Sequence, residues 1–286
     1  MTRLLDGLAQ VAGDYDALLC DVWGVIHNGR ESFPAACSAL ARWRAECGPV
    51  VLVSNSPRPS AEVVVQLDEL ATPRAAWTSI VTSGDATRVL LAERAPGPAW
   101  RIGPERDDPL YEGLGLEFSS LDAARFIACT GPDNDEVETP EDYRARLAHA
   151  ADLGLEMVCA NPDIVVQRGQ RLIYCGGALA RLYETLGGDV SMAGKPFAPI
   201  YALAVSLAEQ ALERPVDRRR VLAIGDGVAT DMAGAQLQDF DRLFISGGIH
   251  AEEVRAADGG PSPMAVEALL AESGLIAHFV MGDLRW

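Results

Sequence analysis

Basic residues are scarce in this sequence. Its 286 residues carry 24 Lys and Arg against 41 Asp and Glu, a formal charge of −17. A surface of that sign repels nucleic-acid backbones and anionic bilayers, so neither is expected as a partner. Histidine is scarcer still, at four residues, and no two of the six cysteines form a Cys-x-x-Cys pair. That leaves no zinc-type Cys/His cluster, and the thiols are expected to be free in a reducing compartment. No run approaches the roughly 20 apolar residues of a membrane span. The first sixteen residues mix Arg, Asp and Leu without the apolar stretch of a signal peptide. The expectation is a soluble, cytoplasmic protein. Internal repeats and low-complexity tracts are lacking too. What remains is ordinary for a globular chain, with 49% apolar and 23% charged residues, enough for a substantial core.

Short apolar runs alternate with amphipathic segments, which predicts an α/β fold with a mainly parallel sheet. Strands are expected at 17–22, 50–53, 190–193, 221–224 and 243–245, with a last apolar run at 276–281. Helices are expected at 34–47, opened by Pro34 where proline is tolerated, and at 60–70, 197–212 and 230–238. Between 85 and 187 the pattern is broken by Pro- and Gly-rich stretches. Strands at 126–130 and 155–159 flank a helix at 141–153, and 165–167 with 171–174 read as a hairpin around Arg168-Gly169-Gln170. This middle reads as an inserted α/β domain, giving a core of 1–84 and 188–286 around an insert of 85–187.

Four places carry candidate chemistry. The first strand ends in Asp21, and parallel α/β sheets bind ligands beyond the carboxyl ends of their strands. A nucleophile, a metal ligand and a turn-stabilising Asp all fit that position. The second strand ends in Ser54-Asn55-Ser56-Pro57, where a hydroxyl and backbone N–H groups suit phosphate oxygens and also suit an ordinary helix cap. Lys195, in Gly194-Lys195-Pro196, can neutralise a phosphate or sit solvated. The strongest signal is the run from Val221 to Asp231, in which an apolar strand enters Gly225-Asp226 and Asp231 follows five residues later. Two carboxylates at one strand tip repel unless a cation lies between them, and hard oxygen ligands suit Mg²⁺.

In order and spacing these four elements resemble the motifs of the haloacid dehalogenase superfamily, and the resemblance covers nearly the whole chain. Ala160-Asn161-Pro162-Asp163, then Gly176-Gly177-Ala178-Leu179, then Gly194-Lys195-Pro196 resemble its class IIA, NagD-like branch, which includes nucleotide, sugar-phosphate and p-nitrophenyl phosphatases. The resemblance implies a doubly wound, Rossmann-like core with a class II cap. It implies Asp21 as the nucleophile that forms an aspartyl-phosphate. Mg²⁺ would be held by Asp21, the Trp23 backbone carbonyl and Asp226, with Asp231 in support. Ser54 and Lys195 would bind the transferring phosphoryl group. Asn55, and the cap residues Asn161, Asp163, Gly176 and Gly177, would face a small phosphorylated metabolite. Pairing of two copies through the cap is a further expectation of the family.

The sequence departs from the family at one position. Phosphatases of this kind usually carry Asp two residues after the nucleophile, and here Asp21-Val22-Trp23 puts an indole there. Tryptophan can neither protonate a leaving alkoxide nor take a proton from water. Such general acid–base help is worth about 10²–10⁴ in rate. The expectation is a Mg²⁺-dependent phosphatase or phosphotransferase weak on alkyl phosphates, with His27 the nearest substitute base in sequence. A non-hydrolytic binding or regulatory relative is the alternative. A dehalogenase is a third reading, disfavoured because Asp226 and Asp231 are of the metal-binding kind. Trp23 itself reads equally as an aromatic wall for substrate and as plain packing.

Overall fold

The computed structural model describes residues 2–168, 171–254, 256 and 260–286. In chain order the strands are β1 (Arg3–Leu4), β2 (Ala17–Cys20), β3 (Val50–Ser54), β4 (Ser79–Thr82), β5 (Ala99–Ile102), β6 (Phe126–Cys129), β7 (Glu156–Cys159), β8 (Val165–Arg168), β9 (Arg171–Tyr174), β10 (Val190–Met192), β11 (Val221–Gly225), β12 (Asp241–Ile245) and β13 (Phe279–Met281). The chain forms two compact units. One comprises Met1–Ser54, Val64–Val81 and Tyr201–Trp286, and the other Asn55–Val63 and Thr82–Ile200.

The first unit is built on a seven-stranded sheet in the order β1-β13-β12-β11-β2-β3-β4. Its central strands, Ala-Leu-Leu-Cys, Val-Val-Leu-Val-Ser and Val-Leu-Ala-Ile-Gly, are buried at every residue. That is what a parallel sheet covered on both faces demands: continuous apolar runs instead of alternation. Helix Pro34–Glu46 buries Ala36, Ala39, Leu40 and Trp43 on one face, and Pro34 opens it because the first helical N–H has no partner to lose. β2 pairs in parallel with both β3 and β11, Leu19 lying level with Val51 and Ala223. The carboxyl tips of three neighbouring strands therefore end side by side.

The second unit has a four-stranded parallel sheet, β10-β7-β6-β5, and a separate antiparallel pair, β8 with β9. Along β6 the side chains alternate. Ile127 and Cys129 join Tyr143, Leu147, Leu179 and Tyr183 on one face, while Phe126 and Ala128 join Leu91, Leu110 and Val158 on the other. The expected hairpin is present, and Gly169-Gln170 of its turn lie outside the described residues. β10 was expected with the core, but it pairs with β7, Ser191 level with Val158. With that strand this unit runs to Ile200 instead of ending at 187, and its long stretch starts at Thr82, with Asn55–Val63 added from earlier in the chain. β4 and the helix Ser83–Ala92 that follows it were not expected from the sequence. That helix is opened by a reciprocal cap in which Thr82 Oγ1 accepts from Asp85 N–H while Asp85 accepts from Thr82 N–H, both at 3.0 Å. The expected helix at 230–238 is a wide π-type turn, Val228–Met232, running into a short α-helix, Ala233–Leu237. All six cysteines are free thiols. Among the described residues no helix is long and apolar enough to cross a membrane.

Candidate active site

In the first unit Asp21 and Asp226 each stand one residue past a strand tip. Asp21 N–H donates to Ile224 O at 2.8 Å, which carries the β2–β11 ladder one step further and fixes the backbone of the carboxylate. Asp231 returns to the same point through the π-type turn, its Oδ2 accepting from Gly227 N–H at 3.1 Å. One carboxylate oxygen from each of Asp21, Asp226 and Asp231 lies within 4.8 Å of the others, and all three residues are buried. Three buried carboxylates so close repel one another strongly as anions. An all-oxygen donor set without thiol or imidazole is the chemistry of a hard divalent cation such as Mg²⁺. Ser54 closes β3 and is buried as well.

Glycines frame this cluster because backbone must come close to carboxylate. Gly24 has φ +83°, and a Cβ there would run into the Asp226 carboxylate. Gly248 meets Asp226 in the same way, and the next N–H, of Ile249, donates to Asp226 Oδ2 at 2.8 Å. The loop after β12 is thus part of the site. Its signal in the sequence is Gly247-Gly248, which follows β12 after Ser246 alone.

Trp23 is half-buried, and its indole is turned onto its own loop. The His27 ring meets it edge-on, with centroids 5.1 Å apart and planes at 72°. Gly29, at φ +81°, lies under the six-membered ring, where any Cβ would collide. His27 is 1% exposed, and its Nδ1 already accepts from Gly29 N–H at 3.0 Å. Burial pushes its imidazole down to about 4. A buried ring whose free nitrogen is engaged does not reach a hydrolytic water, which removes His27 as the substitute base.

This has a measurable consequence for stability. The unfolded chain protonates at the ordinary value near 6.5, before the folded one does. The stability that His27 contributes is complete above pH 6.5 and drains away as pH falls towards 4. The loss amounts to about 3 kcal/mol at the lower end. Melting temperatures measured from pH 7 to pH 4 are expected to fall more steeply for the wild type than for His27→Gln. Parallel curves would refute the assignment.

The remaining candidates lie in the second unit. Lys195 is 3% exposed, and Asn55, Asn161 and Asp163 stand around one turn. Asp163 N–H donates to Asn161 Oδ1 at 3.2 Å, and Gly177 N–H to Asp163 O at 3.0 Å. Gly176 and Gly177 are buried against that turn. A Cβ on Gly176 would lie 2.9 Å from Asn161 O, and one on Gly177 would strike the Pro162 carbonyl. Their lack of a side chain seats the Asn-Pro-Asp turn on the helix Gly176–Thr185.

Comparison with known proteins adds the family. The profile described as haloacid dehalogenase-like hydrolase matches residues 18–117, and a second HAD-hydrolase-like profile matches residues 192–271. The chain is 26% identical over 246 residues to D-glycerol 3-phosphate phosphatase of Mycobacterium tuberculosis, covering 85% of this chain and 66% of that protein. The crystal structure of that glycerol phosphate phosphatase in complex with magnesium aligns with a TM-score of 0.62 at 24% identity, over 88% of this chain and 75% of that one. The 5'-nucleotidase YutF of Bacillus subtilis is 24% identical over 260 residues, 89% of this chain and 96% of its own. A haloacid dehalogenase-like hydrolase from Brucella suis 1330 is 44% identical with a TM-score of 0.88, covering 98% of this chain and all of that one. With strand tips, carboxylates and matched segments in agreement, the chain belongs to the haloacid dehalogenase-like hydrolase family.

Proposed function

We propose that this protein is a Mg²⁺-dependent phosphoric monoester hydrolase or phosphotransferase acting on a small phosphorylated metabolite through an aspartyl-phosphate on Asp21. The observation that carries the reading is the convergence of the Asp21, Asp226 and Asp231 carboxylate oxygens within 4.8 Å. Asp21, Asp226 and the Trp23 carbonyl would hold the cation, with Asp231 behind them. When bound, the cation offsets the carboxylate charge and that of the phosphoryl oxygens. Relatives named for phosphatase and nucleotidase activities, one of them crystallised with magnesium, support the same assignment.

An Asp21 carboxylate oxygen attacks phosphorus, the bond to the leaving oxygen breaks, and that oxygen departs with the electron pair. Water then attacks phosphorus, the carboxylate leaves, and inorganic phosphate is released. Ser54 and Lys195 bind the phosphoryl oxygens, where positioning and electrostatics dominate the rate. Neither step finds a proton donor or acceptor at position 23, so substrates with stable leaving groups react best.

The test is phosphate release from p-nitrophenyl phosphate, acetyl phosphate and a panel of phosphorylated metabolites. With Mg²⁺ release is expected, and EDTA should suppress it by at least about 100-fold, the scale of losing the charge that offsets the transition state. Halide release that persists in EDTA would point to dehalogenation instead. Trp23 favours one second reading, a metal-binding relative that does not hydrolyse. Mg²⁺ binding without turnover of any panel member would select it.

A further inference from the structure

Asn55 follows Ser54 directly and was expected to face substrate. In the second unit it is 4% exposed, and its carboxamide is fully engaged with protein. Oδ1 accepts the Lys195 backbone N–H at 2.7 Å. Nδ2 donates to Lys195 O at 3.1 Å and to Asp163 Oδ1 at 2.8 Å. A primary carboxamide has two N–H donors, and both are spent, leaving none for a phosphate oxygen. The orientation is forced by the partners, since a flipped amide would set its oxygen against a carboxylate and a carbonyl. Lys195 is therefore held by its own N–H and C=O in one planar clip. Gly194 lets the clip close, since a Cβ there would lie 2.7 Å from Asn55 Oδ1 and against Ser83 Oγ.

We propose that Asn55 is a positioning residue: its carboxamide locks the Lys195 backbone and the Asp163 carboxylate into one buried unit and so sets where the Lys195 ammonium is aimed. The inference rests on reading Lys195 as the phosphoryl-binding cation. It departs from that reading in removing Asn55 from the substrate's ligands. Two loops 108 and 140 residues away in sequence meet on this one side chain. A change in the Asn-Pro-Asp turn is thereby transmitted to the lysine.

A charge swap separates positioning from direct contact. Asn55→Asp keeps an acceptor for Lys195 N–H but loses both donors and places a carboxylate against that of Asp163. Asp163→Asn keeps an acceptor for the Asn55 amide. In Asn55→Asp/Asp163→Asn the amide and carboxylate exchange places, which restores the contact between positions 55 and 163 and leaves Lys195 O without its donor. The readout is the Kd of inorganic phosphate with Mg²⁺ present, measured by calorimetry, beside KM and kcat. Asn55→Asp is expected to weaken phosphate by about tenfold or more, mostly in KM, as for loss of one charge-assisted contact. Asp163→Asn, which keeps an acceptor for Asn55 Nδ2, should weaken phosphate less than Asn55→Asp does, and the double variant should bind phosphate more tightly than Asn55→Asp but less tightly than the wild type, the signature of coupled neighbours. A double variant as weak as Asn55→Asp, or an Asn55→Asp protein with wild-type affinity, would overturn the proposal. Asn55→Ser replaces Asn55→Asp if the latter does not fold. Amide exchange in the peptide containing Gly194 and Lys195 gives an arm independent of phosphate. Slow exchange in the wild type and fast exchange in Asn55→Ser support the clip, and equal rates refute it. If the wild type neither binds inorganic phosphate nor hydrolyses a phosphate ester, the proposed function fails and the exchange result alone decides the clip.

Discussion

Asp21→Asn is expected to abolish phosphate release, by about 10⁴-fold or more, while leaving the fold intact. The substitution is isosteric. The backbone N–H that ties residue 21 to Ile224 O is unaffected, so the loss is chemical: an amide oxygen does not displace an alkoxide or phenolate from phosphorus. The same change has an opposite effect on stability without metal. Asp21, Asp226 and Asp231 are buried, with oxygens within 4.8 Å of one another. Removing one of three negative charges relieves their repulsion. Metal-free Asp21→Asn should therefore melt higher than metal-free wild type, by about 2–4 °C for each kcal/mol relieved. Its gain in melting temperature on adding Mg²⁺ should be smaller, because one anionic ligand has gone. Phosphate assays and melting curves with and without Mg²⁺ check both signs. Substantial turnover by Asp21→Asn would remove Asp21 as the nucleophile, and an unchanged Mg²⁺ shift would remove it as a ligand.

Much of that cluster was legible because buried parallel strands are written plainly. Val-Leu-Ala-Ile-Gly and Ala-Leu-Leu-Cys are uninterrupted, so the acid that ends each of them stands out against its run. Other features were hidden for identifiable reasons. β4, Ser-Ile-Val-Thr, is short and only half apolar, and the cap at Thr82 and Asp85 that follows it was present in the sequence but passed unread. β10 was recognisable as a strand, yet nothing in three residues names the sheet they join. That is decided by pairing with Glu156–Cys159, more than thirty positions earlier. Asn55 beside a serine looks like a phosphate ligand, and only the fold shows its amide consumed by Lys195 and Asp163. His27, the nearest substitute base in sequence, lies in a loop of Gly and Asn, and the turn folds it inward against Trp23. The sheet that β10 joins and the partners of Asn55 are non-local pairings, which local composition does not carry.

Trp23→Asp tests whether proton transfer is what the natural sequence withholds. A carboxylic acid two residues past the nucleophile can protonate a departing alkoxide and then take a proton from the attacking water. Turnover of alkyl phosphates such as glycerol 3-phosphate is expected to rise by about 10²-fold, within the 10²–10⁴ usual for such catalysis. Aryl and acyl phosphates should gain far less, since their leaving groups depart without a proton. The substitution also removes the indole that His27 and Gly29 enclose. Emptying a half-buried aromatic site costs about 1–3 kcal/mol, less than the cost in a full core. The variant should therefore be assayed below its lowered melting temperature. The ratio of alkyl to aryl rates is the decisive quantity, because the folded fraction cancels from it. Phosphorylated Asp21 gives an independent check. In the wild type it should accumulate with acetyl phosphate and be visible by intact mass spectrometry, and in Trp23→Asp it should discharge faster. If the ratio stays fixed and the phosphoenzyme is equally short-lived in both proteins, a proton is not the missing element. The indole at position 23 would then act by its shape, as a wall beside the carboxylates, and the search for a base would move to groups outside this loop.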